Sequence, residues 1–64
     1  MEIGEQIRAL REMKGYSAEQ VARISGVNAY TIRRIERGNG HSHFDVVCDI
    51  LNALDCELVI RSKK

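Results

Sequence analysis

Sixty-four residues with a net charge of +1, two cysteines, no proline and no tryptophan leave room for one small domain with a modest core. No signal-like N-terminus or long apolar run is present, so the chain reads as cytoplasmic, neither secreted nor membrane-spanning. The same setting makes Cys48 and Cys56 reduced thiols rather than a disulfide.

The first predicted helix runs from about Ile3 to Lys14, with Ile3, Ile7 and Leu10 on one face and Gly15 closing it. The second spans Ala18 to Ser25. Ser17 caps it, Gln20 completes a capping box, and Tyr16 stands one residue earlier to staple onto Val21. Its inner face is read as Val21, Ala22 and Ile24. The third spans Ala29 to Arg37 and turns Ile32 and Ile35 inward. Asn28 caps it, Val27 staples onto Ile32, and Gly38 ends it. Gly26, Val27 and Asn28 form a connection so short that the two helices must cross steeply. Two capped helices in that relation are a helix-turn-helix, whose second member enters the major groove of DNA.

A polar loop from Asn39 to Ser42 leads into a fourth helix, roughly His43 to Leu54. It buries Phe44, Val47, Ile50, Leu51 and Leu54, with Ser42 and Asp45 as a capping pair. Beyond it, Cys56 to Ser62 changes character, and the run Leu58-Val59-Ile60 predicts a short strand. A single strand in a helical chain has no internal partner for its amides and carbonyls. The expected answer is antiparallel pairing with a second copy, making Leu58, Val59 and Ile60 a dimer interface. The two-fold axis would set the third helices about one turn of DNA apart, roughly 34 Å.

A total of +1 does not by itself point to nucleic acid, but its distribution does. Between Ser17 and Gly40 lie Arg23, Arg33, Arg34 and Arg37 against Glu19 and Glu36. Between His41 and Ile60 lie Asp45, Asp49, Asp55 and Glu57 with no lysine or arginine. A basic middle faces one partner and an acidic later third faces away. An ordinary solvated surface would explain the charges alone, but not their seat on a helix-turn-helix.

Four elements in order resemble the phage-repressor (Xre/Cro-like) helix-turn-helix family. They are Ile7-Arg8-Ala9-Leu10-Arg11, Ala22 with Gly26-Val27, Ile32-Arg33-Arg34-Ile35-Glu36-Arg37-Gly38, and Ala53-Leu54. The resemblance covers nearly the whole chain. It implies an all-α, four-helix, lambda-repressor-like domain over residues 1–64, with the helix-turn-helix at 17–37 and the strand appended at 56–62. It further implies that Ala29, Tyr30 and Arg34 face bases, with Thr31, Arg33 and Arg37 nearer the backbone. Arg34 is the expected base reader, since its planar fork matches guanine O6 and N7. Tyr30 can donate to a base edge or a phosphate, and Ala29 can touch a thymine methyl.

Ser17, Ala18 and Asn28 belong to the helix starts, where free amides meet phosphates. Members of the family often carry glutamine where Ala18 stands, so one expected contact is missing. Loop residues Asn39 and His41 add candidate backbone contacts. Arg11 and Glu36 resemble an ion pair tying the first helix to the end of the third, a structural role rather than a DNA contact. Each lies beside an apolar stripe, where an unpaired charge is expensive.

His41, Ser42 and His43 with Cys48 and Cys56 invite a metal reading. Their spacing fits no common zinc pattern, so no metal is expected. Cys48 reads instead as a small residue at the core boundary. No third group orients a cysteine–histidine nucleophile, and no motif for a cofactor or a small-molecule ligand occurs. Enzyme activity is therefore not expected. Two functions compete. One is a sequence-specific regulator, a repressor, binding a palindromic operator in double-stranded DNA as a homodimer. The other is the antitoxin of a toxin–antitoxin operon, holding a toxin protein and repressing its own synthesis.

Overall fold

A computed structural model of the chain describes residues 2–38 and 44–63. Among these residues it contains four helices: α1 (Ile3–Met13), α2 (Ala18–Ser25), α3 (Ala29–Glu36) and α4 (Phe44–Ala53). Lys14 and Arg37, assigned to helices from the sequence, are the C-caps of α1 and α3. Leu54 lies just past α4. His43 and Ser42, and so the capping pair with Asp45, lie outside the described residues.

The predicted caps are in place. Ser17 Oγ accepts from the Gln20 amide at 3.1 Å, and Gln20 Oε1 accepts from the Ser17 amide at 2.7 Å, closing the capping box. Asn28 Oδ1 accepts from the Tyr30 amide at 2.7 Å. Together these satisfy three backbone donors left without intrahelical partners at the turn. Gly26 ends α2 at φ 78°, a left-handed conformation that costs glycine nothing, and its amide bonds back to the Ala22 carbonyl at 2.9 Å. Tyr16 and Val27, the two staple residues, pack against the core. At the end of α1, the Gly15 amide reaches Glu12 O and the Tyr16 amide reaches Arg11 O, a Schellman closure. Asp55 makes the same closure after α4, with φ 57° although it is not glycine.

The core comprises Ile7, Ala18, Val21, Ile32, Ile35, Val47, Ile50, Leu51 and Leu54. Leu10, Tyr16, Ala22, Val27, Val46, Ala53 and Cys56 pack around it. α2 rests on both α3 and α4, and α1 rests on α3. The α1–α3 contact is close enough that Gly4 is buried, and a Cβ there would collide with the Ile35 carbonyl. That glycine lets two helix backbones touch.

Three residues expected inside lie on the surface: Ile3, Ile24 and Phe44. The buried face of α2 is set by Ala18 and Val21 with Ala22 beside them. Ile24 lies roughly 60° round the helix from Val21 and roughly 120° from Ala18, off the edge of that face on the side away from Ala22. Ile3 and Phe44 are the first residues of α1 and α4, and both stay exposed at the helix starts. The C-terminal strand is also corrected. No strand forms among the described residues, and 56–63 continue without regular structure. A ladder needs a second strand to bond to, and the helical fold supplies none. Leu58, Val59 and Ile60 stay exposed, Ile60 at 86%.

Candidate nucleic-acid interface

α3 is held by its inner side. Ile32 and Ile35 enter the core, and Glu36 is buried against α1. The helical period then fixes what faces outward. Tyr30 stands exposed in the middle of the free face. Arg33 and Arg37 flank it toward α1, and Arg34 with Thr31 lies on the other flank. Arg33 and Arg37 are exposed, while Ala29, Thr31 and Arg34 are half-buried. The Nε of Arg34 is shut off from solvent and has no hydrogen-bond partner among the described residues. A buried donor left unpaired is unfavourable, so the guanidinium gains by moving outward onto an acceptor.

The remaining predicted site residues divide. Ser17 and Asn28 are exposed at the starts of α2 and α3, spending their side chains on the caps. Ala18 is buried in the core, so what it can offer a phosphate is its backbone amide. Asn39 and His41 lie outside the described residues. Arg11 and Glu36 meet as a two-pronged pair: Arg11 Nε donates to Glu36 Oε2 at 2.7 Å and Nη2 to Oε1 at 2.9 Å. The third arm of the guanidinium, Nη1, donates to the Tyr16 carbonyl at 2.9 Å. The pair is largely withdrawn from water, with side-chain exposures of 13% and 5%. Hydrogen bonding to Glu36 raises the Arg11 pKa above its usual value in spite of burial.

One feature of the site went unread in the sequence. Arg33 donates to the Glu19 carboxylate, joining α3 to the first turn of α2. The hydrogen bond to Arg33 lowers the Glu19 pKa, the acid's own backbone adding to the effect. Fourteen residues separate the partners, too far for any helical spacing to reveal. Cys48 and Cys56 are free, half-buried thiols. Among the described residues no cluster of histidine, cysteine, aspartate and glutamate could hold a metal. No described helix is long and apolar enough to cross a membrane.

A capped pair of helices, one core-anchored and presenting tyrosine and arginines outward, defines the helix-turn-helix class. The comparisons agree: the chain belongs to the helix-turn-helix domain family, which matches residues 2–61, and within it to the Xre/Cro-like group. It is 38% identical over 56 residues to a putative HTH-type transcriptional regulatory protein of Pyrococcus furiosus, covering 88% of this chain and 18% of that one. It is 36% identical over 62 residues to the uncharacterized HTH-type transcriptional regulator y4dL of Sinorhizobium fredii, covering 97% of this chain and 32% of that one. With YazB of Bacillus subtilis, another uncharacterized HTH-type regulator, identity is 35% over 52 residues, or 81% and 75% of the two chains. The chain thus spans less than a third of the first two relatives and most of the third. Among solved structures, the restriction-modification controller protein C.AhdI of Aeromonas hydrophila superposes with a TM-score of 0.81. Its identity is 33%, over 86% of this chain and 83% of that one.

Proposed function

We propose that the chain is a sequence-specific transcriptional regulator, a repressor that binds a palindromic operator in duplex DNA as a homodimer. The observation that carries this reading is the outward face of α3, with Tyr30, Arg33, Arg34 and Arg37 on a helix anchored by Ile32, Ile35 and Glu36. Relatives named as HTH-type transcriptional regulators, and the fold shared with a restriction-modification controller, support it. Arg34 reads a base, Tyr30 and Ala29 contact base edges, and Thr31, Arg33 and Arg37 hold the backbone. The starts of α2 and α3, at Ser17, Ala18 and Asn28, add to that hold. Two copies meet through the apolar tail carrying Leu58, Val59 and Ile60. Their exposure supports this, because contiguous apolar surface left in water marks a contact face. The protein works in the cytoplasm, without enzymatic chemistry, by occupying its site.

Base readers and backbone holders separate experimentally. Arg34→Ala should cost about 1–3 kcal/mol at one base pair and relax preference there. Arg37→Ala should weaken all sequences alike and flatten the salt dependence. Gel shifts on an operator selected from random duplexes, with each base pair varied in turn, read both effects. An Arg34→Ala protein that keeps the full base preference of the parent would overturn the assignment.

A further inference from the structure

Beside the α3 face lies a groove of about 220 Å³ lined by Arg8 and Arg11 of α1 and by Arg33, Glu36 and Arg37 at the end of α3. Arg33 and Arg37 stand one helical turn apart on the flank of α3 turned toward α1. A DNA strand held by that flank therefore runs along the groove and past Arg8. We infer that the groove is a seat for the phosphodiester backbone, and that Arg8, on a helix outside the helix-turn-helix, is a DNA-binding residue. This rests on the reading of α3 as the DNA-facing helix.

The charges in the groove are unequal in availability. Arg11 is committed on all three arms, to both oxygens of Glu36 and to the Tyr16 carbonyl, so Glu36 is neutralised and Arg11 has little left to offer. Arg37 has no carboxylate partner among the described residues. Arg8 and Arg33 are held by Glu12 and Glu19, through pairs that remain about half in water. Exposed pairs of this kind are weak and screened, and they exchange readily for a stronger acceptor. A phosphate bridging Arg8 and Arg37 replaces the Glu12 contact and binds between two donors fixed on different helices. Because α1 packs on α3 through Gly4, the spacing of those donors is set by the core and not by loops. The groove reads no base. It fixes the register in which Arg34 meets the major groove.

The test is anisotropy of a labelled operator duplex with the full-length chain across 50–200 mM salt. Arg8→Ala should make the slope of log K against log salt shallower by about 0.9, one phosphate contact. The affinity deficit of Arg8→Ala relative to wild type should therefore be about threefold smaller at the upper salt than at the lower. Base preference should not change, and Arg8→Lys should keep the wild-type slope. Glu12→Gln, which removes the competing carboxylate, should tighten binding. A wild-type slope in Arg8→Ala would overturn the inference while leaving the function of α3 intact. No duplex binding by the wild-type chain would overturn both. Inorganic phosphate titrated at fixed ionic strength separates a free anion from the duplex. Saturation of Arg8 side-chain resonances at micromolar phosphate would assign the groove to a small anion and overturn the proposal.

Discussion

Glu36→Ala should destabilise the protein by roughly 3–5 kcal/mol, because it strands the Arg11 guanidinium in a site built to neutralise it. The size follows from burial. An exposed pair of the same residues would be worth under about 1 kcal/mol, but Glu36 retains 5% of its side-chain exposure and Arg11 13%. Domains hold roughly 0.05–0.15 kcal/mol of stability per residue, so a chain this short has about 3–10 kcal/mol in all. Losing 3–5 of that populates the unfolded state. Arg11→Met should cost a similar amount, since it leaves a buried carboxylate. The double substitution should cost much less than the two together, since no buried charge remains. Urea midpoints of the two single variants and the double decide this. Small, additive losses would show that water reaches the pair.

Gly4→Ala should also be severe, and its sign opposes helix propensity. Within a helix, alanine is favoured over glycine by about 1 kcal/mol, which alone predicts a more stable protein. Yet a Cβ at Gly4 would collide with the Ile35 carbonyl, with the Glu36 carbonyl 3.2 Å away. Both are backbone atoms that cannot rotate aside, so α1 must lift off α3. Overpacking of this kind costs about 1–3 kcal/mol and sometimes more, and here the fixed backbone puts the net loss near 2–3 kcal/mol. The separation also pulls Arg11 away from Glu36, so the two variants should be non-additive. A thermal midpoint raised above wild type would refute the close contact.

What the sequence disclosed follows a physical boundary. Caps and staples act over three to five residues. Ser17 with Gln20, Asn28, and the Tyr16 and Val27 staples were therefore legible as spacing, and with them the helix-turn-helix. Arg11 and Glu36 came through the family resemblance, aided by their place beside apolar stripes. Misplacements fell where burial depends on how far a neighbour extends. Ile3 and Phe44 continue an apolar pattern past the edge of the core, and Ile24 sits off the narrow face of an eight-residue helix. The β-branched run Leu58-Val59-Ile60 has strand propensity, but propensity does not supply a partner strand. The Glu19–Arg33 pair and the Arg8 groove join residues far apart in the chain, which no local period encodes. Gly4 did carry a signal, since glycine inside a helical pattern costs about 1 kcal/mol against alanine and needs a packing reason to stand there.

The central claim is that α3 reads a DNA sequence. Its most direct test is selection of random duplexes by the purified chain at 50 mM salt, followed by sequencing of the retained pool. The account predicts an inverted repeat whose half-sites are centred about one helical turn, or 10–10.5 base pairs, apart. It also predicts that one conserved guanine per half-site is lost when the selection is repeated with Arg34→Ala. A retained pool with the same base composition as the input, under conditions where the chain is folded, would contradict it.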